Sequence, residues 1–400
     1  MKTLRIFFPI LLIALLGLSC STHPELAQVT QLKLEERDEV KYVGEGSLEK
    51  RAGIYVLRLK GSPFMMGYQQ GFLLRREIQQ NVRRNIHYIM DRGRPDWVFA
   101  SLKNIPEQYI EEAKGIAKGS GVRFEDLIGT DILQMGRIRS ACSNFVALGK
   151  VTADGNLIHG RTFDWTVDEA FTNQVVIFRK PSNGSQFVGV AFPGSISVFS
   201  GVNSNMVSGA INMSFGEKGT LTDKSPNLPA EVFLRKIVQD SKDLENASKI
   251  AHSMNTRPTI LIVADGTLNR ALILEISLDF KRIRAPEDDY IICTNHYLTD
   301  LPKYQDKDMA GSFLRYEYYK NSIKKDYGKI DNLKAEELLR NYRENHVAYY
   351  KSIGSRSDVQ HALIFQPAKK KLFITINRVT EFNFQEFDLK KDFNLRDRQL

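Results

Sequence analysis

The strongest constraint on the fold is the order in which strand-like and helix-like stretches follow one another. Apolar alternation through Tyr55, Leu57 and Leu59 marks a strand, and after Gly61-Ser62-Pro63 a helical stretch is expected over about residues 64–92. A second helical region covers about 106–118 and closes at Gly119 and Gly121. Residues 142–214 are rich in strands, with hairpin-turn signals at Asp154-Gly155 and Asn183-Gly184. Two helices are expected over 230–241 and 244–254, with Pro229 suited to the first turn of the earlier one. Strands return over 259–264, 271–277 and 290–294, a charged helical segment spans about 312–346, and a last hairpin joins 362–366 to 372–377. Strands come in blocks, helices come in pairs, and no internal repeat is visible. This order predicts an α+β fold with helices packed on stacked sheets, and it disfavours an alternating βαβ sheet.

Composition narrows the class further. A chain of 400 residues with 42% hydrophobic and 26% charged residues can bury a sizeable core, which excludes a disordered or collagen-like protein. The formal charge of +9 is spread along the chain and reads as a solubility feature, not as a nucleic-acid footprint. Cys20, Cys142 and Cys293 are too few for a disulfide scaffold and lack a C-x-x-C spacing. With no metal-ligand cluster, phosphate loop or nicotinamide fingerprint in the sequence, neither a metal nor a cofactor is expected.

The N-terminus reads as a signal peptide over residues 1–19. Lys2 and Arg5 precede an apolar run over 6–18, shorter than the roughly 20 residues needed to span a bilayer. Gly17-Leu18-Ser19-Cys20 resembles a bacterial lipoprotein box, which implies that Cys20 is lipidated and becomes the mature N-terminus. An ordinary signal peptide with an incidental cysteine is the alternative. Residues 20–45 are read as a polar tether, and the expected location is the cell envelope, with a membrane anchor and a periplasmic or surface-exposed body.

Cys142 is the leading candidate for chemistry. It heads a strand that turns at Asp154-Gly155 and returns through Arg161, Phe163, Asp164 and Trp165, so one hairpin collects a thiol, a guanidinium and a carboxylate. Thiolate is the reactive form of cysteine, and a nearby cation lowers the thiol pKa. Asp164 is placed to orient Arg161 or to bond the group that accepts the thiol proton. A buried cysteine beside a surface Arg–Asp pair is the competing reading. His159 and His296 invite a Cys–His pairing, but both lie near strand ends and are read as structural, and the papain and caspase signatures are absent.

Six segments in order resemble the cysteine N-terminal-nucleophile (Ntn) hydrolases, specifically the acyl-coenzyme A:isopenicillin N acyltransferase family, with bile-salt hydrolases and acid ceramidase as more distant relatives. They are Gly61-Ser62-Pro63 with Gly67-Tyr68-Gln69-Gln70-Gly71; Gly115 to Val122; Cys142-Ser143 with Gly160 to Trp165; Gly201-Val202-Asn203 with Gly209-Ala210-Ile211-Asn212; Thr294-Asn295-His296; and Ser312-Phe313-Leu314-Arg315. The similarity runs from about Ala52 to about Ile376.

The resemblance implies a four-layer αββα sandwich over residues 46–400, divided into a propeptide-like segment 46–141 and a nucleophile-bearing segment 142–400. It implies cleavage of Ala141–Cys142, after which the Cys142 thiol is the nucleophile and its α-amine the base. Arg161 and Asp164 carry over from the related Arg-x-x-Asp pair, Asn212 as an oxyanion donor, Asn295 as an orienting residue, and Arg315 and Trp165 as substrate-binding residues. The expected activity is hydrolysis or transfer of an acyl group at an amide C–N bond of a small N-acyl or lipid substrate. A phospholipase B-like ester hydrolase and a non-catalytic, ligand-binding surface lipoprotein are the alternatives. Ala141 departs from the glycine or acidic residue of some relatives, which makes self-cleavage less secure than the nucleophile. Cys293, mid-strand in an apolar run, reads as a buried free thiol.

Overall fold

In the computed structural model the strand blocks form two sheets that face each other, and the helix pairs cover their outer faces. The structure describes residues 24–29, 31–91, 101–136, 141–166, 174–214, 228–299, 310–352, 357–376 and 383–395. The expected signal peptide and Cys20 lie outside them. Up to the candidate nucleophile the elements are α1 (Leu26–Val29), β1 (Leu34–Arg37), β2 (Val40–Val43), β3 (Gly46–Arg51), β4 (Ile54–Gly61), α2 (Pro63–Leu73), α3 (Arg75–Asp91), α4 (Glu107–Ser120) and α5 (Phe124–Gly136). Then come β5 (Ala141–Ala147), β6 (Ile158–Thr166), β7 (Val175–Pro181), β8 (Phe187–Ala191), β9 (Ser200–Asn203), β10 (Val207–Met213), α6 (Ala230–Asp240) and α7 (Leu244–Ser253). The rest comprises β11 (Thr259–Asp265), β12 (Arg270–Ile276), β13 (Lys281–Arg284), β14 (Tyr290–Cys293), α8 (Ala310–Lys325), α9 (Asn332–Ser352), β15 (Ser357–Gln366), β16 (Lys371–Ile376), β17 (Gln385–Asp388) and α10 (Leu389–Asp392).

The larger sheet has the order β1-β2-β3-β4-β7-β8-β9-β10-β11-β12-β13, and the smaller one β14-β5-β6-β15-β16-β17. Between them, Val56, Val176 and Val188 pack against Leu363, Phe365 and Ile374. Further along the same interlayer, Ala210, Ile260 and Ile273 meet Val146 and Ile291. The outer face of the larger sheet buries Leu57, Ile177 and Val263 against helical residues such as Ile78, Ile116 and Phe233. The outer face of the smaller sheet buries Phe145 and Ile364 against Tyr319, Leu339 and Tyr342. Helix, sheet, sheet and helix follow in that order, which is the α+β stacking expected from the element order and the αββα sandwich implied by the family resemblance. Strands covered on both faces need apolar residues at consecutive positions. In β4, Val56 and Leu57 are accordingly both buried, and β11 is buried throughout.

Three expectations are corrected. The helix expected over 64–92 is two helices, because the chain bends at Leu74, which is buried and whose N–H closes the first of them on Gln70 O. The charged segment 312–346 is likewise split into α8 and α9, with Gly328 at φ 78° between them. The polar tether ends earlier than residue 45, since β1 and β2 form an edge hairpin turning at Asp38 and Glu39, both with positive φ. Every residue of β1 is exposed, so no apolar alternation announces this strand in the sequence. Among the described residues no helix is long and apolar enough to cross a membrane.

Two of the glycine-rich segments have a packing explanation. Gly67 and Gly71 of α2 face Gly115 and Gly119 of α4 so closely that a Cβ on Gly67 would lie 1.9 Å from Glu112 O, and one on Gly115 2.1 Å from Phe64 O. The obstacles are backbone atoms, which cannot swing aside as a side chain can. Overpacking of this kind typically costs about 1–3 kcal/mol. Gly67→Ala and Gly115→Ala should therefore each lower the urea midpoint by at least that equivalent; an unshifted midpoint would mean that the two helices separate freely.

Candidate active site

The site is built on the β5–β6 hairpin. Its register places Ala141 opposite Asp164, Cys142 opposite Phe163, and Asn144 opposite Arg161. Strand alternation then points Cys142, Asn144, Arg161, Phe163 and Trp165 toward the larger sheet, and Ser143 and Asp164 toward the helices. The expectation that Arg161 to Trp165 return beside Cys142 holds in this register.

Three side chains from separate parts of the fold meet at Cys142, which is 1% exposed. Arg161, fully buried, donates from Nη2 to Cys142 Sγ (3.3 Å), from Nη1 to Asn212 Oδ1 (2.6 Å) and from Nε to Ser200 Oγ (3.2 Å). Asn295 Oδ1 accepts the Cys142 backbone N–H (2.9 Å) and Arg315 Nη2 (2.7 Å), while its Nδ2 donates to Met213 O (2.7 Å). Arg315 Nη1 donates to Cys142 O (2.7 Å) and Ser143 Oγ (3.0 Å). Both backbone groups of Cys142 and its sulfur are thus held by side chains. Five of the expected residues, Cys142, Arg161, Asn212, Asn295 and Arg315, form one connected network.

Asp164 and Trp165 occupy different surroundings. Asp164 stands on the opposite strand face from Arg161, and its Oδ2 accepts a hydrogen bond from Tyr342, whose hydroxyl also receives Ser143 Oγ (3.2 Å). Of the two roles considered for Asp164, orienting Arg161 directly is the less suited to this placement. Trp165 stacks on Phe163 at 5.2 Å and, with Phe192 and Phe199, completes an aromatic cluster around Cys142. Asn212 turns its Oδ1 to Arg161, while its Nδ2 donates to Thr294 O (2.7 Å) and Cys293 O (3.1 Å).

Burial dominates the electrostatics. It pushes the Cys142 thiol up, with Arg161 pulling in the other direction, and it pushes the Cys293 thiol up to about 12. Both thiols are free. His159 and His296 are lowered to about 3 by burial, with Arg161 adding to the effect at His159 and Arg315 at His296, so both imidazoles are neutral. His159 Nδ1 sits 3.0 Å from Ser208 Oγ, as a structural histidine should. Among the described residues no group of His, Cys, Asp and Glu is arranged to hold a metal ion.

Sequence reasoning missed Asn144, Ser200 and Tyr342. Asn144 Nδ2 donates to Asn212 Oδ1 at 2.6 Å. It lies two residues beyond Cys142, so strand alternation alone places it on the same face and was the available signal. Ser200 and Tyr342 arrive from β9 and α9, and no local pattern in the sequence points to them.

An αββα sandwich that buries a cysteine at the head of a strand, with its backbone nitrogen on an asparagine and its sulfur on an arginine, frames the comparison with known proteins. The chain belongs to the acyl-coenzyme A:6-aminopenicillanic acid acyl-transferase family, whose profile matches residues 151–379. That span begins after Cys142 and takes in Arg161, Asp164, Asn212, Asn295 and Arg315. The chain is similar to an uncharacterized protein of Archaeoglobus fulgidus, with 25% identity over 85% of this chain and 65% of that one. It is also similar to Protein dcd1B of Dictyostelium discoideum, with 22% identity over 58% of this chain and 52% of that one. It therefore spans under two thirds of the length of either relative. Among solved structures it is similar to the Caenorhabditis elegans N-acylethanolamine-hydrolyzing acid amidase ortholog, with 15% identity over 62% of this chain and 99% of that one, at a TM-score of 0.44.

Burial raises the Asp164 carboxyl from 3.8 to about 7, against the opposing pull of Arg315, the Tyr342 hydroxyl and Arg161. Between these values the folded protein keeps a proton that the unfolded chain has released. The associated stability is present below about pH 4 and is lost as pH rises through about 7. Asp164→Asn should flatten this part of the pH dependence of the urea midpoint. An unchanged slope would assign it to Asp131 and Glu231, which burial raises to about 6 and about 7.

Proposed function

We propose that this protein is a cysteine amidohydrolase or acyltransferase activated by cleavage of its own chain between Ala141 and Cys142. The single observation that carries this reading is the pairing of holds on Cys142: Asn295 on its backbone nitrogen and Arg161 on its sulfur. These are the two atoms that Ntn chemistry uses. In the activating step Sγ attacks the Ala141 carbonyl carbon, the Ala141–Cys142 C–N bond breaks, and the Cys142 nitrogen takes the thiol proton. Water then hydrolyses the resulting thioester, giving an Ala141 carboxylate, a free thiol and an α-amine. Asn295 Oδ1 is already in place to receive that amine.

An α-amine has an unperturbed pKa of about 7.7–8 and is suited to taking the thiol proton near neutral pH. The thiolate attacks an amide carbonyl, the amine leaves with the proton, and the acyl-enzyme passes its acyl group to water or to a second amine. Arg161 favours the thiolate, and Arg315 keeps Asn295 and the Cys142 carbonyl in place. Asn212 enters the proposal as the holder of Arg161. Its expected role as an oxyanion donor requires exchanging one of its bonds to Thr294 or Cys293 for the substrate. The family description, acyl transfer from acyl-coenzyme A to the amine of 6-aminopenicillanic acid, supports chemistry at an amide bond. An N-terminal leader over residues 1–19, and lipid anchoring at Cys20 in the cell envelope, belong to the same proposal.

Intact-mass analysis tests the first step: the protein should yield a fragment beginning at Cys142, and Cys142→Ala should remain one chain. Arg161→Ala should push the thiol further up and slow alkylation of Cys142 at neutral pH. A chain that is never cut and a thiol whose alkylation ignores Arg161 would together sink the proposal. Parallel assays on N-acyl amides and matching esters fix the bond type. Cys20→Ser should move the protein from the membrane to the soluble fraction.

A further inference from the structure

Four helices that precede Cys142 converge on one loop that follows it. Between β8 and β9 the chain runs from Phe192 to Phe199, and both of these rings belong to the cluster around Cys142. Phe192 meets Trp165 edge-on at 5.9 Å, and Phe199 lies 4.9 Å from Phe163. The loop between them, residues 193–197, is held by side chains of the segment that cleavage would sever. Asn81 of α3 donates to Pro193 O (3.1 Å), and Gln70 Oε1 of α2 accepts Gly194 N–H (3.2 Å). Asp131 of α5 accepts from Ser195 Oγ (2.6 Å), Ile196 N (3.0 Å) and Ser197 Oγ (3.4 Å).

Glu112 of α4 acts at one remove. It pairs with Arg179 (3.1 Å) and with Arg235, all three side chains being buried. Arg179 Nη2 donates onward to Ser195 O (3.3 Å), and Arg235 Nη1 to Ile196 O (2.7 Å). A buried ion group contributes little net stability over an apolar core, but it demands one geometry. Here that geometry fixes loop carbonyls. The loop also crosses close under the helices: Gly194 has φ 88°, and a Cβ there would meet Leu127 at 3.1 Å and Ile78 at 3.2 Å.

We infer that the segment before Cys142 sets the aromatic wall of the acyl pocket, with Gln70, Asn81, Glu112 and Asp131 as positioning residues that hold Phe192 and Phe199 over the thiol through the 193–197 loop. The inference rests on the proposed use of the Cys142 thiol, and it assigns an apolar acyl chain to the aromatic side of that thiol. The segment's strands β3 and β4 lie in the larger sheet, with β4 beside β7.

The test uses Asp131→Asn and, should that variant fold poorly, the milder Asn81→Ala. Hydrogen exchange in peptides covering residues 192–199 should quicken by about 10-fold, with β5 and β6 protected as in the unaltered protein. In a Trp97→Phe background, Trp165 is the one remaining tryptophan, and its emission should shift as its ring partners loosen. On a series of N-acyl 4-nitroanilides from acetyl to dodecanoyl, the ratio of kcat/KM between long and short chains should change several-fold while cleavage before Cys142 persists. Unchanged loop exchange, or exchange that rises equally throughout the protein, overturns the clamp. A loosened loop with an unaltered chain-length ratio overturns its role in the pocket. A protein that turns over none of the series, amide or ester, sinks the proposed function instead, and the exchange and emission data then decide the clamp alone.

Discussion

The hydrogen bond from the Cys142 backbone nitrogen to Asn295 is the contact on which the site depends. Asn295 follows β14, an edge strand of the smaller sheet, and reaches the head of its neighbour β5. Arg315 from α8 closes the arrangement by binding both Asn295 Oδ1 and the Cys142 carbonyl. A backbone N–H in the middle of a sheet ordinarily bonds to a neighbouring strand. Here a side chain takes that place, so the nitrogen is held by a group that can keep its position when the peptide bond beside it changes.

Around that contact the protein buries Asn144, Arg161, Ser200, Asn212 and Asn295. A buried guanidinium is costly unless its donors are satisfied. Arg161 uses each of its three nitrogens, on a sulfur, an amide oxygen and a hydroxyl. The Asn212 oxygen is shared between Arg161 and Asn144, and its nitrogen is fixed by carbonyls at the end of β14. Neutral histidines fill the remaining positions without adding charge: His361 Nε2 meets Ser200 Oγ at 3.1 Å, and burial holds its pKa well below the usual value. The same burial pushes the Cys142 thiol up, with Arg161 pulling in the other direction.

The glycine stripes and the loop clamp are two levels of one design. The close crossing of α2 and α4 brings Gln70 and Glu112 to the same side of the larger sheet, where α3 and α5 add Asn81 and Asp131. Burial alone would raise the Glu112 carboxyl, but Arg235 and Arg179 hold it below its usual value, so it stays ionised. Substituting a methyl for one glycine hydrogen would therefore disturb helix packing first and the aromatic rings at the thiol only at a distance.

Local chemistry determined much of this in the sequence. The Asp154-Gly155 turn and strand alternation are enough to bring Arg161 back beside Cys142, and the blocks of strands and helix pairs are enough for an α+β sandwich. The six ordered segments carried the family and, with it, attention to Asn212, Asn295 and Arg315, which the fold gathers around Cys142 and Arg161. Alternation left Asp164 on the far face, where only the packing of α9 supplies Tyr342, and Asn212 gained its partner Arg161 only when the two sheets stacked. The edge hairpin β1–β2 was invisible because an exposed strand needs no apolar pattern. Hydrophobic periodicity reports which side of an element is buried, and it carries no information about which distant element covers that side. Turns and faces were therefore written in the sequence, while the clamp on the 193–197 loop and the hold of Ser200 on Arg161 came into being only with the tertiary fold.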